Sequence, residues 1–241
     1  MLKVLLLIGF IIGNLYASNL PQSYYQIQGI EKKKDFFFNY LYELIEQENI
    51  NILKERNHVL SLFKKDLRDK KNRSYKNKLL KIKWKYDIKK LYDKEEYLKK
   101  IDVVPASLAL AQAAVESDLG RSRFTKEAHN IFGHWTYDEK IGIIPKKRPK
   151  NAKYFIRVFG SLQEAVTAYM LNLNRNKAFK SFQDKRDNLK QHGKSLSGLE
   201  LSQTLINYSG IGTKYLDILK TMIKNENLEK YDRILFYKIK G

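Results

Sequence analysis

The sequence predicts a mainly α (α+β) protein: a helical core with a small β-hairpin lobe, preceded by a helical N-terminal region. Three observations carry that expectation. Apolar residues recur at helical spacing through the first half of the chain, a Pro-to-Gly interval at 105–120 encloses a run of small helix formers, and strand-like alternation is confined to KYFIRVF at 153–159. At 241 residues the chain is long enough for one or two domains with a proper core.

Residues 1–17, MLKVLLLIGFIIGNLYA, combine one Lys, an apolar run from Val4 to Ile12 and a small residue at Ala17. That pattern is a signal peptide, too short to span a bilayer comfortably. Leu15 stands where a second small residue is preferred, so an uncleaved anchor is the alternative. The absence of cysteine excludes disulfides, thiol chemistry and lipid attachment through cysteine. The expected location is therefore exported, in the periplasm or cell envelope.

Residues 18–100 form a basic N-terminal region. A polar stretch with Pro21 and Gly29 reads as a linker to about residue 30, followed by helical periodicity from Lys32 to about Leu67 (Phe37, Leu41, Leu44, Ile45, Ile52, Leu53, Val59, Leu60, Phe63). A second helix is expected over about Tyr75–Leu91. Net charge is +20, and residues 64–100 hold sixteen Lys or Arg against six Asp or Glu. Such a stripe suits an anionic wall or membrane surface, and equally reads as a solvated face filled with Lys by codon usage. Export argues against nucleic acid.

Residues 101–225 carry the chemistry. Pro105 suits a first helical position and Gly120 the position past the last, which predicts a helix over Pro105–Leu119 with Glu116 in its final turn. The negative pole of the helix and Asp118 both raise the proton affinity of a carboxylate there, and an aromatic wall from Phe124, Phe132 or Trp135 would raise it further. A general acid needs that shift. The small and polar residues one and two turns back, Gln112, Ala113 and Ala109, are expected to border an open groove. The ordinary alternative for Glu116 is a solvated helix carboxylate.

Beyond it, Ser122–Asn130 reads as a polar connector and residues 133–159 as a β-hairpin or small antiparallel sheet. Ser161 with Glu164 forms a capping box opening a helix to about Asn174, with Ala165, Tyr169 and Leu173 on the core face. A helix from about Leu199 to Asn207, a loop through Tyr208, Ser209, Gly210 and Gly212, and a helix capped by Thr213 complete the domain. Residues 226–241 read as a tail. His58, His129, His134 and His192 make no pair of metal-site spacing and no phosphate loop occurs, so neither metal nor cofactor is expected.

Five blocks in order, AQAAVESDLGRSRF (111–124), NIFGHW (130–135), GIIPKKRP (142–149), FGSLQEAVTAYMLNLN (159–174) and YSGIGTKYLDILKTMI (208–223), resemble the glucosaminidase family of peptidoglycan hydrolases, glycoside hydrolase family 73, in its Bax-like branch. The resemblance implies a lysozyme-like domain that cleaves the β-1,4 bond after N-acetylglucosamine in cell wall glycan, with Glu116 as proton donor. It further implies that Tyr208, matching a loop tyrosine of related enzymes, approaches the acid, with Tyr215 the alternative. FFFNYLYELIEQENINILKERNHVL resembles the helical lead-in of that branch, which favours a bracing role. In the β lobe, Trp135 or Tyr137 would stack on a sugar, Asn130 would bond its acetamido group, and Phe132 is either cleft wall or hairpin core. A second carboxylate belongs about 5–5.5 Å or about 6.5–9.5 Å from the acid. Glu139 is the candidate, and attack by the substrate's own acetamido oxygen is the alternative. The expected partner is the peptidoglycan strand. A lytic transglycosylase acting after N-acetylmuramic acid and a non-catalytic wall-binding or assembly module are the rival readings.

Overall fold

The computed structural model describes residues 19–240 except 147 and 150, with the side chains of 235–240 set aside. The expected signal peptide lies outside the described residues.

The helices are α1 (Gln22–Gln26), α2 (Ile30–Leu62), α3 (Arg73–Tyr86), α4 (Lys94–Lys100), α5 (Ala106–Ser117), α6 (Arg123–Ala128), α7 (Leu162–Arg175), α8 (Lys180–Gln191), α9 (Gly198–Ser202), α10 (Thr213–Asn225) and α11 (Glu229–Lys240). Three short strands, β1 (Trp135–Thr136), β2 (Gly142–Ile143) and β3 (Phe155–Arg157), form an antiparallel sheet in the order β1-β3-β2. Trp135 pairs with Ile156, and Gly142 with Arg157. The molecule is mainly α with one small β lobe, as the periodicity predicts.

Helix α5 is the axis of the core. Ten of its twelve residues are buried, and α2, α9, α10 and α11 pack around it. Its alanines let neighbouring backbones come close. This corrects the expectation of a groove-bordering face: Ala109, Gln112 and Ala113 are fully buried. Only the last turn, with Glu116, reaches open space.

That turn ends at Ser117, two residues earlier than Gly120 suggests. Asp118 and Leu119 both adopt left-handed backbone (φ 53° and 51°), an uncommon state for residues with a Cβ. Local bonds hold it: the Ser117 hydroxyl donates to the Ala113 carbonyl at 2.6 Å and accepts from Gly120 N–H at 2.7 Å. A Cβ on Gly120 would sit 2.3 Å from Leu20 Cδ1, so glycine is needed there for close approach.

The segment read as a linker is packed instead. Tyr24 on α1 is fully buried and donates to the Leu119 carbonyl at 2.5 Å, fastening the front of the chain to the end of α5. The polar connector likewise contains α6, and the expected tail contains α11. Asp232 on α11 accepts from Ser107 N–H (2.8 Å), the Ser107 hydroxyl (2.6 Å) and Gly198 N–H (3.0 Å), so one carboxylate caps both α5 and α9.

Helix α2 runs antiparallel to α5. Phe37, near its start, packs on Gly120, and Asn49 exchanges two 2.9 Å hydrogen bonds with the backbone of Val104. Helix α7 lies parallel beside α2: Gln163 donates to the Leu44 carbonyl (3.3 Å) and Thr167 to Glu48 (2.8 Å), a constant offset along both helices.

Helix α8 is anchored through Arg186, which is fully buried. Its guanidinium donates to the carbonyls of Asp102 and Val103 (both 3.0 Å) and Lys99 (2.9 Å), and to Asn174 Oδ1 (2.6 Å). Burial alone would raise the Asp102 carboxyl, but Arg186, Arg56 and Lys190 outweigh it and hold Asp102 below the usual range.

Candidate active site

A cleft of about 1880 Å³ opens beside the end of α5, lined by Glu116 together with residues of α2, the β lobe, α7 and the 208–210 loop. Its size admits a stretch of polymer.

Glu116 is held on two sides. Its Oε1 accepts from the Tyr215 hydroxyl at 2.7 Å. Its Oε2 faces Gly133, where an added Cβ would lie 3.2 Å away and where the backbone is left-handed (φ 68°). Glycine at 133 thus lets the loop cross over the carboxylate.

Behind Tyr215 the donors run in one direction. The Tyr169 hydroxyl donates to Gln112 Oε1 at 2.6 Å, which leaves the Gln112 amide N–H to donate to the Tyr215 oxygen at 3.0 Å. The proton of Tyr215 then goes to Glu116 Oε1. A protonated Glu116 must carry its proton on Oε2, the oxygen not engaged by Tyr215. Burial raises the proton affinity of Glu116, and the bond from Tyr215 partly offsets the rise.

The upward direction and its desolvation component agree with expectation, whereas the contribution expected from Asp118 is missing. Asp118 points outward to Arg121 at 2.6 Å. With its charge compensated there, it does not act on Glu116.

The expected site residues divide into three groups. Phe132, Trp135 and Tyr208 line the cleft with Glu116. Phe132 is nearly fully buried and stacks face to face on Tyr169 at 4.0 Å, so it serves as both wall and core. Trp135 is 60 % exposed and stacks on Tyr154 at 4.4 Å, leaving its other face to the cleft. Tyr208 lies parallel to Tyr215 at 5.7 Å, but its hydroxyl donates to the Phe132 carbonyl at 3.2 Å. The tyrosine bonded to the acid is Tyr215, not Tyr208.

Asn130 is buried and both of its amide N–H groups are committed. It donates to the carbonyls of His134 and Arg157 (both 2.8 Å) and accepts from His134 N–H (2.9 Å). These bonds tie the 130–135 loop to β3 and leave no amide N–H for an acetamido group, which corrects the donor role expected of it. Tyr137 and Glu139 line a separate shallow depression with Arg148 and Phe155, outside the cleft that contains Glu116. Tyr137 and Asp138 follow β1 directly, and the short helical turn Glu139–Ile141, capped by the Asp138 side chain, leads into β2.

Sequence reasoning missed the contribution of α2. Tyr40, Glu43, Gln47 and Asn51 line the cleft, as do Arg157 on β3 and Arg175 on α7. The available signal was a polar stripe at 43, 47 and 51 on a helix otherwise read for its apolar face.

Residues 91–228 match the family model described as glucosaminidase, mannosyl-glycoprotein endo-beta-N-acetylglucosaminidase. The chain belongs to this glucosaminidase family. It is also 26% identical over 212 residues to Protein bax of Escherichia coli (strain K12), covering 87% of this chain and 75% of that protein. No solved structure matches the chain. Glu116, Gly133, Tyr208 and Tyr215 all fall within the glucosaminidase segment, whereas α1, α2 and α3 precede it.

Proposed function

We propose that the protein is an exported peptidoglycan hydrolase, an endo-acting β-N-acetylglucosaminidase that cuts the β-1,4 bond after N-acetylglucosamine with Glu116 as general acid. The observation that carries this reading is the seat of Glu116: a part-buried carboxylate of raised proton affinity in a polymer-sized cleft, one oxygen fixed by Tyr215 and the other open under Gly133.

In the step itself, the Oε2 proton moves to the bridging oxygen as the bond from that oxygen to the anomeric carbon breaks. Water then adds its oxygen to the anomeric carbon, and its proton returns to Glu116 directly or through the assisting group. Catalysis by a carboxyl of this kind depends on its holding a proton near neutral pH. The exposed face of Trp135 suits the apolar side of a sugar ring. Arg157 and Arg175 are cations without a carboxylate partner among the described residues, and stem-peptide carboxylates supply the complementary charge. The Lys-rich face of α3, with Trp84 71 % exposed beside Lys83, is a contact surface for anionic envelope components.

For the second group, Glu43 on α2 is an exposed carboxylate of the cleft and replaces Glu139 as the enzyme candidate. Substrate assistance is the other route. Loss of turnover in Glu43→Gln supports the carboxylate, and retained turnover supports the acetamido oxygen.

The deciding experiment is digestion of purified sacculi by native protein and Glu116→Gln, with mass spectrometry of the products. Native protein should release reducing N-acetylglucosamine ends, and the variant should lose at least about a hundredfold in rate. Anhydromuropeptides would make the protein a lytic transglycosylase. Equal clearing by both proteins would refute the hydrolase mechanism.

A further inference from the structure

The cleft does not end where the glucosaminidase segment does. One side of it is α2, which lies wholly before residue 91. Along that side Glu43, Gln47 and Asn51 succeed one another at four-residue intervals, each exposed, while Leu41, Ile45 and Ile52 on the opposite face are buried in the core. A helix that only braced the domain would need the apolar face alone. Here the second face forms part of the same cavity as Glu116.

Chain direction gives this face a place relative to the acid. Because α2 is antiparallel to α5, with Phe37 at the level of Gly120 and Asn49 at the level of Val104, each step from Glu43 to Asn51 leads away from Glu116. Eight residues of helix extend about 12 Å, a length comparable with a disaccharide. Beyond the Glu43 carboxylate, the groups displayed at 47 and 51 are primary amides, which offer both donor and acceptor to sugar hydroxyls and N-acetyl groups. Gln47 Nε2 donates to Asn51 Oδ1 at 3.2 Å and the Asn51 amide in turn hydrogen-bonds Glu48, so the two amides are pre-aligned while one N–H on each and the Gln47 carbonyl stay free. Leu171 and Ala168 of α7 also line the cleft and provide apolar surface beside them.

We propose that Gln47 and Asn51 on α2 form a saccharide-binding subsite remote from the cleavage point, which makes the protein selective for long glycan strands. This deepens the hydrolase reading and rests on it for the identity of the polymer.

The test is calorimetric binding of β-1,4-linked N-acetylglucosamine oligomers, from dimer to hexamer, to full-length Glu116→Gln protein, with and without Gln47→Ala and Asn51→Ala. Folding is checked by thermal melts of each protein. The parent should bind the hexamer more tightly than the dimer by about tenfold or more, and the double substitution should remove most of that ratio, as expected when about two amide hydrogen bonds are lost. A hexamer-to-dimer ratio unchanged by the substitutions overturns the proposal, as does the absence of binding by any oligomer. If native protein releases no reducing ends while the length dependence still responds to the substitutions, the subsite stands and the hydrolase reading falls.

Discussion

Tyr215 sets the proton affinity of Glu116 in a direction that can be worked out. Its hydroxyl stabilises the ionised carboxylate, so removing it favours the protonated form. Tyr215→Phe should therefore move the alkaline limb of the kcat/KM profile to higher pH, which a pH-rate series on soluble glycan fragments measures. The same substitution leaves the Gln112 amide without an acceptor in a fully buried position and should cost about 1–3 kcal/mol of stability. Glu116 itself carries a stability cost. Its folded-state proton affinity is raised, so the folded protein is favoured while Glu116 is protonated, and that advantage is lost as pH rises through the raised value. Glu116→Gln should accordingly melt higher than native protein at alkaline pH, with the difference vanishing in acid, as a melting series across pH would record.

Asn49 shows what joins one element to another. Its amide satisfies both the N–H and the C=O of Val104, just ahead of α5. Asn49→Leu fills similar volume but strands two buried backbone groups, so denaturant melts should show a loss of about 2–4 kcal/mol. At this scale the sequence was readable where apolar spacing and end signals agreed. Helix α5 lay between Pro105 and Gly120, α7 opened at Ser161, and β3 fell inside KYFIRVF. Helix α8 was silent because its buried face sets Gln183 and Arg186 between Phe182 and Leu189, polar groups that read as surface until their carbonyl acceptors are seen. Asn130 misled for the opposite reason. A polar side chain in a binding-loop motif looks available, and only the fold reveals that His134 and Arg157 have taken its hydrogen bonds. The position of Glu116 beside the cleft was legible because its setting, a helix end followed by a glycine-bearing aromatic loop, is local in sequence. The wall formed by α2 was not, since some seventy residues separate it from the acid.

The whole molecule is larger than its glucosaminidase segment in an energetic sense. Phe37, Leu41, Ile45 and Ile52 of α2 belong to the same core as Leu108, Ala113 and Tyr169. Four such side chains contribute about 1.5–3 kcal/mol each on burial, which together rivals the 5–15 kcal/mol that typically keeps a domain folded. Residues 91–228 expressed alone should therefore lack a cooperative melt, which calorimetry would register against the sharp transition of the full chain. Rigidity near Glu116 is likewise borrowed from outside the segment. Because Tyr24 clasps the Leu119 carbonyl, removing the chain through Tyr24 would slacken the perch beneath the acid while most of the scaffold stayed standing. A cut past Tyr24 would thus loosen the end of α5 without touching a single group that lines the trench.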